Sequence, residues 1–215
     1  MVSAMDTRMQ STLARLHQAA NREILTIAKG LAKGIFRPLQ PEDMKDAYIA
    51  MSREQGEVMV RLIQENHCTN IVEFGTSFGI STLYLAAGAK ETGGKVITTE
   101  LLPEKCAVAQ KNFEEAGAAD IIDLREGDAM QTLRDCPADI DFLVLDGWND
   151  LYLPLLKMLE PKFKKGCIVI TDNTNFPSAK PFLNYIRNHP NYTSEQLPTD
   201  KGGTEKSVWL GNRTL

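Results

Sequence analysis

No run of apolar residues in this 215-residue chain approaches the roughly 18 that a membrane-spanning helix requires, and its N-terminus lacks the continuous apolar core of a secretory signal. Neither a membrane partner nor export by that route is expected. Cysteine is sparse: Cys68, Cys106, Cys136 and Cys167 are scattered without CxxC spacing, which argues against a disulfide framework or a zinc site. Reduced, buried thiols in a cytoplasmic protein are the expectation. The chain also lacks G-x-x-x-x-G-K-[ST], which excludes a P-loop, and it contains no internal repeat or low-complexity tract. Positive charge is in deficit overall, with a net charge of -4 and a pI near 5.5. Binding to nucleic acid by phosphate neutralisation is therefore not expected.

The charge is unevenly spread. Arg8, Arg15, Arg22, Lys29, Lys33 and Arg37 face only Asp6 and Glu23 within residues 1–40, so that stretch is +4 and the remainder -8. A solvated helix face accounts for this most simply; a lid, a dimer arm or a membrane-surface helix are the alternatives. Met5, Met9, Leu13, Leu16, Ala20, Ile24 and Ile27 recur at helical steps and form one stripe, which Gly30, Gly34 and Pro38 interrupt. Ser52 reads as the N-cap of a helix running through Val58, Leu62 and Ile63.

From residue 71 the pattern changes to short apolar runs alternating with helical stretches. The runs are 71–74, 95–100, 121–126, 141–146 and 167–172; the helical stretches between them are 81–89, 104–117, 129–135 and 152–163. Glycines 93, 94, 117 and 166 supply the breaks expected after helices. A helix over 179–188 and strands over 192–197 and 205–210 complete the reading. Such alternation implies an α/β fold, a parallel sheet covered by helices on both faces. Residues 1–50 are a helical appendage, a lid or dimerisation segment, and 51–215 the main domain.

Ligands of open parallel sheets bind outside the carboxyl ends of the strands. Those ends here carry Glu73, Glu100, Asp128, Asp146 and the pair Asp172-Asn173. Helix N-termini stabilise any single carboxylate of this kind, but five on one rim call for more than solubility. The first strand enters a turn with Gly75 and Gly79 and with Ser77 between them, a G-x-x-x-G spacing rather than the G-x-G-x-x-G of dinucleotide folds. That suits a nucleotide less dependent on its phosphates. Glu100 lies 25 residues after Gly75, where an acid commonly accepts hydrogen bonds from ribose hydroxyls.

The motifs E-F-G-T-S-F-G-I-S-T (73–82), T-T-E (98–100) and G-D-A (127–129) resemble the S-adenosylmethionine site of class I methyltransferases. More narrowly, L-D-G-W-N-D-L-Y-L-P (145–154) with I-T-D-N-T (170–174) resembles the cation-dependent catechol and caffeoyl-CoA O-methyltransferases, the bacterial small-molecule members above all. The likeness runs from Met51 to Gly211, about three quarters of the chain. It implies a doubly wound, mostly parallel, seven-stranded Rossmann-like sheet with an antiparallel last strand. It also implies that Met51 and Ser52 contact S-adenosylmethionine from the N-terminal side, while Glu73, Gly75, Ser77, Gly79 and Ser81 surround its methionine part. Glu100 and Leu101 would lie at the ribose, Asp128 and Ala129 at the adenine, and Trp148 against the cofactor. Asp146, Asp172 and Asn173 would be ligands of Mg²⁺ or another divalent cation, Asp146 also bordering the cofactor. Two carboxylates and an amide oxygen form an all-oxygen set suited to a hard cation. The alternative for Asp172-Asn173 is a helix cap or Asx-turn. The implied acceptor is a small vicinal-dihydroxy aromatic, with Phe176 and Pro177 walling its pocket, and a homodimer is the implied assembly.

One position departs from the family pattern. Three residues after the first metal aspartate the family has a lysine that takes the acceptor's proton; this chain has Asn149. A neutral amide does not serve as a base. The cation alone, Asp150, Lys157, or an unusually acidic acceptor are the candidate substitutes. By that resemblance Asp146, Asn149 and Asn173 are the catalytic positions, with a weak or inactive cofactor-binding relative as one rival. An NAD-dependent oxidoreductase would share Glu100 but needs no Asp146/Asp172/Asn173 cluster. A nucleic-acid methyltransferase is disfavoured by the acidic charge and the lack of an N/D-P-P-Y/F motif.

Overall fold

The alternating runs form a single seven-stranded sheet in the computed structural model, which describes residues 5–22, 51–200 and 202–212. Helix α1 spans Thr7–Arg22 and α2 Arg53–Glu65. Then follow β1 (Asn70–Phe74), α3 (Ile80–Thr92), β2 (Lys95–Glu100), α4 (Pro103–Ala116), β3 (Ile122–Glu126), α5 (Ala129–Thr132) and β4 (Ile140–Leu145). The chain closes with α6 (Tyr152–Leu159), β5 (Phe163–Thr171), α7 (Lys180–Asn188), β6 (Tyr192–Leu197) and β7 (Thr204–Trp209). The strand order is β3-β2-β1-β4-β5-β7-β6. Strands β1 to β5 pair in parallel, and β7 pairs antiparallel with both β5 and β6. The expected antiparallel last strand is therefore present. Ile24, Ile27 and the Gly30, Gly34 and Pro38 interruption lie outside the described residues.

Helices cover both faces, which explains why β4 reads as an unbroken apolar run: all six of its residues are buried. Phe142 and Val144 point into one core with Ile71, Val96, Ile168 and the helices α1 to α4. Leu143 and Leu145 point into the other with Val72, Phe74, Val169 and residues of α5, α6 and α7. Ser52 does cap α2, accepting from the Gln55 amide while the Gln55 side chain accepts from the Ser52 amide, a capping box.

The basic N-terminal helix is docked on the domain. Arg8 donates to the Glu114 and Glu115 carbonyls at the C-terminus of α4, at 2.9 and 3.2 Å, where a cation also complements the helix dipole. Arg15 pairs with Glu115 at 2.7 Å and reaches Asn112 at 2.8 Å. Among the described residues no helix is long and apolar enough to cross a membrane.

Several boundaries differ from the sequence reading; the helix expected over 81–89 runs on to Thr92. The helix expected over 129–135 ends at Thr132. The helix expected over 152–163 stops at Leu159, gives way to a 3-10 turn containing Pro161, and β5 begins at Phe163 instead of Cys167. Phe163 pairs with Ile140 before the register shifts to Phe142–Ile168, and its ring packs edge-on against Trp209 at 6.3 Å. Gly166, expected to break a helix, lies instead within this irregular part of β5 at φ +91°.

Helices α2 and α3 approach closely because Gly56 faces the Tyr84 ring and Gly88 faces Ile63. A Cβ on Gly88 would fall 2.9 Å from two Ile63 carbons. Helix propensity favours alanine over glycine by about 1 kcal/mol, whereas overpacking a core costs about 1–3 kcal/mol. Gly88→Ala is therefore expected to lose stability in urea unfolding; a gain would mean that the two helices part without penalty.

Candidate functional site

Hydrogen bonds across the parallel strands align their carboxyl ends into one rim. Gly127 N donates to Glu100 O (2.8 Å), Gly75 N and Thr76 N to Thr99 O (3.2 Å each), Asp146 N to Phe74 O (2.9 Å) and Asp172 N to Leu145 O (3.0 Å). The five acidic positions therefore stand at the carboxyl ends of the strands. The first turn passes so close to the fourth strand that a Cβ on Gly75 would lie 2.6 Å from the Asp146 carbonyl oxygen, and its φ of +106° also favours glycine. Ser77 adopts a left-handed φ of +49° in the same turn.

Glu73 is completely buried at the end of β1. Its Oε2 accepts from Thr82 (2.5 Å) and Thr98 (2.7 Å), but its Oε1 has no hydrogen-bond partner among the described residues. Burial raises its pKa above the usual carboxyl value; hydroxyls of Ser81, Thr82 and Thr98 oppose that rise, and the nearby Glu100 charge adds to it. A buried acceptor without a donor beneath a glycine turn fits a cationic donor such as the α-ammonium of S-adenosylmethionine. Glu100 is held by the backbone, accepting from Ser77 N (2.8 Å) and Leu102 N (3.0 Å). Lys105, only 5% exposed, reaches Ser77 Oγ at 3.4 Å and lies 5.2 Å above the Phe78 ring.

The fourth and fifth strand ends bring Asp146, Asp172 and Asn173 together. Asn173, at a left-handed φ of +59°, donates its side-chain amide to Asp146 Oδ1 at 3.1 Å. Asp172, 7% exposed, accepts at Oδ1 from Gln55 Nε2 (2.9 Å) and Thr204 Oγ1 (3.1 Å). Among the described residues it caps no helix; its Oδ1 is held by side chains distant in sequence. Burial raises the pKa of Tyr152 well above its ordinary value, and the charges of Asp146 and Asp172 raise it further. Tyr152 OH donates to Gly147 O at 3.2 Å. Asn149 does not act like a base here: its amide donates to the Asn173 carbonyl at 3.3 Å. Lys157 sits 5.0 Å over the Tyr185 ring, and Asp150 is exposed. An amide oxygen and two carboxylates fit a hard divalent cation. Among the described residues no three His, Cys, Asp or Glu side chains cluster as a metal site; the third member here is an amide.

The remaining positions vary in character. Asp128 is exposed and caps α5 through Met130 N at 2.9 Å, while Ala129 is buried. Met51, Ser52 and Ser81 are buried, Gly79 packs against Phe113, and Trp148 is half-buried against the α6-side core. Among the described residues Leu101 and Phe176 are the exposed large apolar side chains, at 45% and 55%. The sequence reading missed Thr82, Thr98, Lys105, Gln55 and Thr204. Only Gln55 carried a signal, the S-x-x-Q spacing of a capping box.

The topology, with its rim of acidic strand ends, defines a Rossmann-like fold of the methyltransferase type. A solved structure with the same fold is the O-methyltransferase from Bacillus cereus in complex with SAH: TM-score 0.72, 24% identity, 93% of this chain and 90% of that one. The chain belongs to the O-methyltransferase family, whose model matches residues 35–179. Catechol O-methyltransferase B of Danio rerio is 29% identical over 171 residues, 74% of this chain. The catechol O-methyltransferase of Mycobacterium tuberculosis is 33% identical over 129 residues, 58% of this chain. The match spans 64% and 57% of those relatives, under two thirds of each.

Glu73 carries a pH prediction. A carboxyl whose folded pKa is raised binds more protons folded than unfolded, so its contribution to stability declines as pH rises above its ordinary 4.5. Glu73→Gln removes that linkage. In the ligand-free protein the melting temperature of the variant relative to the parent is expected to climb from pH 5 to pH 8; a flat difference would show that Glu73 titrates as an ordinary carboxyl.

Proposed function

We propose that this chain transfers the methyl group of S-adenosylmethionine to a hydroxyl of a small vicinal-dihydroxy aromatic, with a divalent cation such as Mg²⁺ held by Asp146, Asp172 and Asn173. The placement of Asp146 and the pair Asp172-Asn173 at the neighbouring ends of β4 and β5, with Asn173 donating to Asp146, supports the reading. Glu73, with its unpartnered Oε1, supports the methionine end of the cofactor site together with Gly75, Ser77, Gly79 and Ser81. Glu100 and Leu101 serve the ribose, Asp128 and Ala129 the adenine, and Met51, Ser52 and Trp148 close the cofactor from its other sides.

Methyl transfer is a single displacement: the O–CH₃ bond forms as the S–CH₃ bond breaks, the electron pair goes to sulfur, and the hydroxyl proton leaves. A bound divalent cation supplies Lewis acidity that lowers the hydroxyl pKa. The protein's own task is alignment and water exclusion, in which the exposed Phe176, three residues after Asn173, is proposed as one wall of the acceptor pocket. Asn149 donates to a carbonyl and a neutral amide is no base, so solvent is the proposed recipient of the proton. Residues 1–50 are proposed as the pocket cover and homodimer contact, and the four buried free thiols are in keeping with a reducing cytoplasm.

The second reading, a cofactor-binding relative without turnover, rests on Asn149. Labelled S-adenosylmethionine, Mg²⁺ and a panel of vicinal phenols, with and without chelator, separate the two. Label transfer abolished by chelator is expected. Chelator-insensitive transfer removes the cation, and cofactor binding without any transfer favours the second reading. Asn149→Lys is expected to raise turnover on simple catechols, within the ~10²–10⁴-fold that general-base catalysis supplies, with S-adenosylhomocysteine affinity unchanged. Unaltered turnover in that variant would mean that proton removal is not limiting.

A further inference from the structure

Gln55 is 2% exposed, and every polar atom of its side chain is engaged. Its Oε1 accepts from Ser52 N at 2.9 Å, which closes the capping box of α2. Its Nε2 donates to Asp172 Oδ1 at 2.9 Å and to Thr204 Oγ1 at 2.8 Å. Thr204 in turn donates to the same Asp172 oxygen at 3.1 Å. The network continues outward: Ser52 Oγ accepts from Gln55 N (3.1 Å) and donates to Asp200 Oδ1 (2.6 Å). Three segments far apart in sequence, the start of α2, the end of β5 and the β6–β7 hairpin, thus meet on one carboxylate.

A capping box is served equally by glutamate or glutamine at this position. Only the amide also donates; a glutamate would set a second carboxylate against Asp172, where like charges repel. The residue type is therefore explained by Asp172 rather than by the helix cap. Two donors on Oδ1 hold that oxygen from the side of α2 and the hairpin and restrict the rotation of the Asp172 carboxylate.

We infer that Gln55 is a positioning residue for the divalent cation: it orients Asp172 from the N-terminus of α2, with Thr204 as its partner. This rests on the cation-dependent reading above. Partners that orient a metal-ligating carboxylate are typically worth ~10–100-fold in metal affinity. A residue that merely staples α2 to the sheet would change stability and leave cation affinity alone.

The test is Mn²⁺ titration of the full chain by electron paramagnetic resonance, without any methyl acceptor, alongside calorimetric S-adenosylhomocysteine binding as the check on folding. Gln55→Met, similar in length but without donor or acceptor, is expected to weaken Mn²⁺ binding by ~10–100-fold. Thr204→Val, which spares the cap, should weaken it in the same direction by less. Glu54→Ala removes the contact from Asp200 N to Glu54 Oε2 (3.0 Å) without touching Asp172, and should leave Mn²⁺ affinity as it was. A Gln55→Met protein that binds S-adenosylhomocysteine and holds Mn²⁺ as tightly as the parent overturns the inference. Should that variant not fold, unchanged affinity in Thr204→Val overturns it instead. A parent chain that binds no Mn²⁺ at all brings down the cation-dependent reading itself, and the inference with it.

Discussion

Parallel register between β1, β4 and β5 is the constraint on which the site depends. Asp146 N on the Phe74 carbonyl and Asp172 N on the Leu145 carbonyl, at 2.9 and 3.0 Å, continue the ladders one residue past each strand. Side chains alternate along a strand, so a slip of one residue would send Asp146 and Asp172 to opposite faces of the sheet and exchange the β4 side chains between the two cores. The apolar alternation of β4 between two cores makes such a slip costly. Hydrophobic burial and functional geometry are thus secured by the same pairing.

Gathering acids on one rim has an electrostatic cost, and the structure offsets it residue by residue. Glu100 takes two backbone amides, Asp128 caps a short helix, Asp146 takes the Asn173 amide, and Asp172 takes an amide and a hydroxyl. Among the described residues Glu73 is the exception, since one of its oxygens is buried without a donor and its pKa is driven upward. Hydrogen bonds to a carboxylate favour its charged form, while burial opposes it.

Much of the fold was legible because its signals are local. The K-V-I-T-T-E run became β2 at the expected bounds, Ser52 capped its helix, and the late strands stayed within one residue of expectation. The misreadings arose where tertiary pairing overrode local pattern. Phe163 extends β5 because Ile140 and Trp209 receive it, not because K-K-G favours a strand. The acidic strand ends were also legible, since parallel topology sends such positions to one rim. The uneven charge of the N-terminal stretch was not decisive by itself; Arg8 and Arg15 proved to hold α4.

By itself, the sequence determined the α/β class, the rim of acids, the glycine turn and the Asn149 departure, because periodicity and residue chemistry do not depend on distant partners. Only the tertiary structure decided what each acid touches. Gln55 and Asp172 lie 117 residues apart, and no spacing rule links them. Their contact follows from where a helix cap, a strand end and a hairpin arrive once both cores have packed. Hydrogen bonds of about 3 Å reach are assigned by that convergence and not by chain order.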